Sequence, residues 1–118
     1  TQYRLLRLVD AYFNITEDYL SNVKKEKSGL INIPSSRFLR PYNGSNYLET
    51  KKLQRIKNSM EHAAKTNQGF HLWWHPHNFG RNLLRNISSL KIILNHYRFL
   101  SQKYGMISLN MKEASKTI

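Results

Sequence analysis

At 118 residues and 14.0 kDa the chain has room for one domain, and a hydrophobic fraction of 40% is enough to build a core. No apolar run approaches the roughly 18 residues that cross a membrane, and the absence of cysteine excludes disulfides and thiolate metal sites. The net charge of +12 favours polyanions, but it is spread as eleven basic and five acidic groups in residues 1–60 and eight and two in residues 61–118, about +6 in each half. With only Lys24, Lys25 and Lys27 clustered, and Glu26 among them, no basic tail or recognition helix emerges, which argues against nucleic acid as the partner.

In chain order, Leu5, Leu8, Val9, Tyr12 and Phe13 follow the i, i+3, i+4 spacing of a helix with one buried face. This helix starts at Thr1 without a preceding cap or strand, and reads as an element cut into. Thr16, Glu17 and Asp18 offer a turn or a second helix start, with Tyr19, Leu20 and Val23 as its apolar side. Lys24 to Lys27 reads as a solvated end. Gly29 to Ile33 is a short strand candidate ended by Pro34, after which a loop carries Arg37, Phe38, Leu39, Arg40, Pro41 and Tyr42 to the turn Asn43-Gly44-Ser45. Arg37 and Arg40 offer planar forks of donors suited to a carboxylate, a phosphate or a sugar. They fit an ordinary surface loop with snorkelling arginines equally well.

Ser45 to Asn67 is helical by pattern, with Leu53, Ile56, Met60, Ala63 and Ala64 on one side and Lys51, Lys52, Arg55 and Lys57 expected on a solvated side. Next comes the stretch that organises the chain, Gly69-Phe-His-Leu-Trp-Trp-His-Pro-His-Asn-Phe-Gly80. Its apolar start suits a strand over Phe70 to Trp74, which Pro76 ends because it cannot donate a ladder hydrogen bond. A long helix then runs to about Tyr104, with Leu83, Ile87, Leu90, Leu94 and Tyr97 at core spacing and Gly105 placed to terminate it. Met106 to Leu109 is a third strand candidate, and Asn110 with Glu113 resembles a capping pair for a last helix. The succession of strand and helix predicts an α/β domain of parallel strands alternating with helices.

Both tryptophans and three of the five histidines fall between Gly69 and Gly80. A histidine just past a strand end suits general acid or base work, because flanking aromatic rings orient it. His71, inside the strand, and His96, inside the long helix, read as structural. Two histidines at i and i+2 can share a metal, but a site needs at least three ligands, and no carboxylate falls in a spacing that repeats with them.

The stretch Phe70-His71-Leu72-Trp73-Trp74-His75-Pro76-His77-Asn78-Phe79-Gly80, followed by Asn82, Leu83, Leu90 and Leu94, resembles the last block of bacterial polysaccharide deacetylases, the NodB homology group. Ile33-Pro34-Ser35-Ser36 with Arg37-Phe38-Leu39-Arg40-Pro41, and Ser108-Leu109-Asn110-Met111 with Glu113, resemble neighbouring parts of the same group. The resemblance implies a metal-dependent hydrolase that removes acetyl groups from a sugar or polysaccharide on a distorted (β/α)7 barrel, of which residues 1–118 would be the C-terminal part. In that family an Asp and two His hold a divalent metal (zinc or similar), a second Asp is the base, and a strand-end His protonates the leaving group. By motif position the acid maps to His75. Trp73, Trp74 and His77 would line the substrate pocket, and Arg37 and Arg40 lie on a loop that could meet the sugar. The chain has no Asp-Asp pair and no His before His62, so the metal ligands are expected in a missing N-terminal half, and the chain is expected to be inactive alone. The alternative is a free-standing basic α/β module that binds acidic polysaccharide or nucleic acid through Lys51, Lys52, Arg55, Lys57 and the Arg37 to Arg40 loop.

Overall fold

The period that marks residues 45–67 as a helix becomes α2, Asn46–Lys65, the element on which the rest of the core packs. Ser45 caps it by accepting a hydrogen bond from the Leu48 amide at 3.2 Å, which satisfies one of the donors a helix start leaves open. The computed structural model describes residues 2–13 and 23–117. Its elements are α1 (Gln2–Asp10), β1 (Lys24–Lys25), β2 (Ile31–Asn32), β3 (Arg37–Phe38), α2, β4 (Leu72–Trp73), a 3-10 helix (Pro76–Asn82), α3 (Leu83–Tyr104) and α4 (Met111–Ser115). The core joins Leu53, Ile56 and Met60 of α2 to Ile93 and Leu100 of α3, with Leu39 and Phe79 closing it. No helix among the described residues is long and apolar enough to cross a membrane.

The expected succession of parallel strands, resembling half of a (β/α)7 barrel, is overturned. The described residues are mostly helical, and their strands form only two sheets of two strands each. Lys24–Lys25 and Ile31–Asn32 make an antiparallel hairpin, so the strand expected at Gly29 to Ile33 belongs to no parallel sheet. The strand expected over Phe70 to Trp74 contracts to Leu72–Trp73, and Met106 to Leu109 is irregular. A strand persists only where a neighbour accepts its ladder. Here only β3 and β4 find each other in parallel, with α2 as the crossover between them.

The helices expected over Ser45 to Asn67, up to about Tyr104 and after Asn110 are present as α2, α3 and α4, though α3 begins only at Leu83, after the 3-10 helix. Gly105 takes a left-handed conformation at φ 74° to end α3, where a side chain would be strained. Asn110 and Glu113 form a capping box, with Asn110 Oδ1 accepting from the Glu113 amide at 2.8 Å and Glu113 Oε1 from the Asn110 amide at 3.1 Å. The faces fare less well. α1 buries none of its residues, and Leu5 and Leu8 are exposed; the chain turns inward only at Ala11 and Tyr12. On α3 the buried positions are Asn86, Ser89, Ile93 and Leu100, while Leu83, Ile87 and Leu94 face out. That helix is apolar on more than one side, and α2 selects the side carrying Asn86 and Ser89 because polar partners await them there. The helix start expected at Thr16 lies outside the described residues.

Candidate active-site edge and its cleft

Parallel pairing places the carboxyl ends of β3 and β4 on one edge, the usual place for ligands in α/β units. The register sets Phe38 beside Trp73, and their rings meet at 4.6 Å. Trp73 and His75 are two apart and share one side of the extended backbone, as period-2 alternation requires. Their rings meet edge to face at 5.2 Å and 86°. His75 in turn stacks on His77 at 5.2 Å and 22°. The result is a strip, Phe38, Trp73, His75 and His77, running off the strand edge.

His75 occupies the position before the 3-10 helix with extended backbone, and its side chain makes no capping hydrogen bond. Its imidazole is exposed. An exposed ring, oriented by two aromatic neighbours and not engaged in capping, can give or take a proton at a bound ligand. His71 and His96 hold the structural places expected of them. His71 Nδ1 lies 3.2 Å from the Pro34 carbonyl, and His96 Nε2 lies 3.2 Å from the Lys57 carbonyl.

Alternation sends Trp74 the other way. It stacks on Phe79 at 5.8 Å and packs against the core, so the structure does not bring it to the strip. Arg37 is likewise drawn inward. Its guanidinium donates to the Asp10 carbonyl at 3.4 Å and lies 4.0 Å from the Asp10 carboxylate. Arg40 and His77 do come together, lining a cleft of about 430 Å³ with Leu8, Tyr12, Pro41, Tyr42, Asn43, Asn78, Arg81 and Asn82.

The cleft's backbone is held from beneath. Tyr42 donates its amide to Asn86 Oδ1 at 2.7 Å, and its carbonyl accepts from Asn82 Nδ2 at 3.2 Å. The Arg40 carbonyl accepts from Lys52 Nζ, which is also paired with Glu49. Glu49 accepts in addition from Ser89 Oγ at 2.9 Å. Lys52 is 2% exposed and Arg55 is 4% exposed, which corrects the expectation of a solvated face. Arg55 reaches the Asp10 carboxylate at 3.4 Å. The basic surface proposed for polyanion binding therefore lacks two of its members, and Arg37 is largely withdrawn.

Burial lowers the pKa of the Lys52 ammonium, and the hydrogen bond and charge of Glu49 oppose that shift. At the cleft wall burial raises the pKa of the Tyr12 phenol. Nearby Arg40 counteracts this effect and Glu49 adds to it. Tyr12 is thus a neutral donor at physiological pH. Among the described residues no group of three or more His, Asp or Glu could hold a metal ion.

Sequence reasoning did not find Tyr12, Asn78, Arg81 or Asn86. Asn82 and Asn86 stand four apart, the helical spacing that puts two carboxamides on one side, and this was the available signal. Nothing in the sequence marks Arg81. Comparison with protein-family models, with curated proteins and with solved structures gives no match to this chain.

Proposed function

We propose that this chain carries the proton-donating side of a metal-dependent deacetylase, of the polysaccharide deacetylase type, acting on an acetylated sugar or polysaccharide. The observation that supports the reading is the exposed His75 at the carboxyl edge of β4, flanked by the Trp73 and His77 rings. It agrees with the place of the leaving-group acid in the family that residues 70–80 resemble.

In this reading a divalent metal, zinc or similar, would be held by residues outside this chain, since the described residues offer no such group, and it would lower the pKa of a bound water and polarise the acetyl carbonyl. A base outside this chain would take a proton from the water as its oxygen bonds to the acetyl carbon, and the bond from that carbon to the sugar nitrogen or oxygen would break. His75 delivers a proton to the departing amine or alkoxide, which would otherwise be a poor leaving group. Trp73 and Phe38 form an apolar wall beside the acetyl methyl. The released products are acetate and the free amino sugar or alcohol.

The test uses the native protein captured from its source with an antibody against this chain and supplied with Zn²⁺. Acetate release from an N-acetylglucosamine oligosaccharide or from an O-acetylated xylan is expected. No acetate from either substrate overturns the reading.

A further inference from the structure

The cleft beside His77 has a composition that the deacetylation step does not use. It is lined by two guanidiniums, Arg40 and Arg81, and no carboxylate belongs to its lining among the described residues. Neither guanidinium takes part in an ion pair among those residues. Asn78 also belongs to its lining. The cleft therefore offers two cationic forks for an anion, and His77 joins it to His75.

We propose that the Arg40 and Arg81 cleft is a subsite for a carboxylate-bearing sugar unit next to the acetylated one. In naming that neighbour, the inference rests on His75 being the reacting end of the site. A planar carboxylate matches the guanidinium fork with two parallel hydrogen bonds, and the phenol of Tyr12 adds a neutral donor. The subsite is built in advance. Lys52 holds the Arg40 carbonyl while Asn82 and Asn86 hold both main-chain groups of Tyr42, so little ordering remains to be done on binding. An acidic heteropolysaccharide in which uronate and acetylated amino sugar alternate fits both parts of the edge at once.

The experiment is calorimetric titration of the full chain, in about 0.15 M NaCl to screen long-range attraction. Two tetrasaccharides are compared, one alternating glucuronate with N-acetylglucosamine and one of N-acetylglucosamine alone. The acidic one is expected to bind roughly tenfold or more tightly than the neutral one. Arg81→Gln, at an exposed position, should remove most of that preference, and Arg40→Gln should do the same. Lys91→Gln, on α3 outside the cleft, should leave it intact. Equal affinity for the two sugars overturns the subsite. So does an equal loss in Lys91→Gln, which would assign the preference to overall charge, and so does displacement by inorganic phosphate at matched concentration. No turnover is read, so failure here leaves the role of His75 standing, and absence of deacetylation leaves the binding result standing.

Discussion

Asp10 Oδ1 and Arg55 Nη2 stand 3.4 Å apart although 45 residues separate them in the chain. Asp10 closes α1 and also lies against Arg37, so one carboxylate ties the N-terminal helix to β3 and α2. With α1 burying no apolar side chain of its own, this tie and the buried Ala11 and Tyr12 hold the helix in place. Asp10→Ala leaves two largely buried guanidiniums without the charge they share. A loss of about 3 kcal/mol is expected, measured by urea denaturation, together with faster proteolysis within α1. Unchanged stability would mean that Asp10 contributes nothing to docking.

The Lys52 and Glu49 pair poses a second question, because burying two charges costs much of what their attraction returns. Lys52→Met strands Glu49 with Ser89 alone and should cost about 3 kcal/mol. Replacing both, as Glu49→Leu with Lys52→Met, should recover more than half of that loss. A double variant as unstable as the sum of the singles would show that the pair is not coupled.

His96 links α3 to α2 through the Lys57 carbonyl, and burial lowers its pKa from the usual 6.5. The hydrogen bond to Lys57 and the charge of Glu61 oppose that shift, and the Lys57 charge reinforces it. With the folded value below the unfolded one, the unfolded chain takes up a proton first as pH falls. The contribution of His96 is therefore fully present above about 6.5 and declines as the pH drops through the folded value. The urea midpoint should fall between pH 7 and pH 5, and His96→Gln should flatten that part of the profile.

The two tryptophans should separate function from stability. Trp74→Ala removes a ring stacked on Phe79 and should cost about 3 kcal/mol with little direct effect on sugar binding. Trp73→Ala should cost about 1 kcal/mol for the Phe38 contact and weaken sugar binding instead. Reversed effects in denaturation and titration would overturn the assignment of the two faces.

His75→Ala in the native metal-loaded protein should reduce turnover by roughly 10²-fold or more while metal affinity stays the same. Loss of metal, or undiminished turnover, would remove the general-acid role. His77→Ala is expected to be milder on turnover.

Much of the local structure was legible in the sequence, because its causes are local. Ser45, Gly105 and the Asn110 and Glu113 pair set helix ends through hydrogen bonds and backbone conformations that span only a few residues. Pro34 and Pro76 marked where extended segments stop, and residues 70–80 stood out as an aromatic, histidine-rich stretch. Which ring faces the site could not be read there. Trp73 and Trp74 have the same apolar chemistry, and only the register with Phe38 decides between them. The same holds for charge. Lys52 and Arg55 look like a solvated face until Glu49 and Asp10 arrive to neutralise them. Strand pairing was the largest misreading, since a strand is stabilised by a partner distant in sequence and its own residues do not reveal whether that partner exists. The sequence by itself determined the helix ends set at Ser45, Gly105 and Asn110. The tertiary structure alone decided which faces are buried, which charges are paired, and that Arg40, Arg81 and Asn78 line one cleft, because each of these depends on groups brought together from far along the chain.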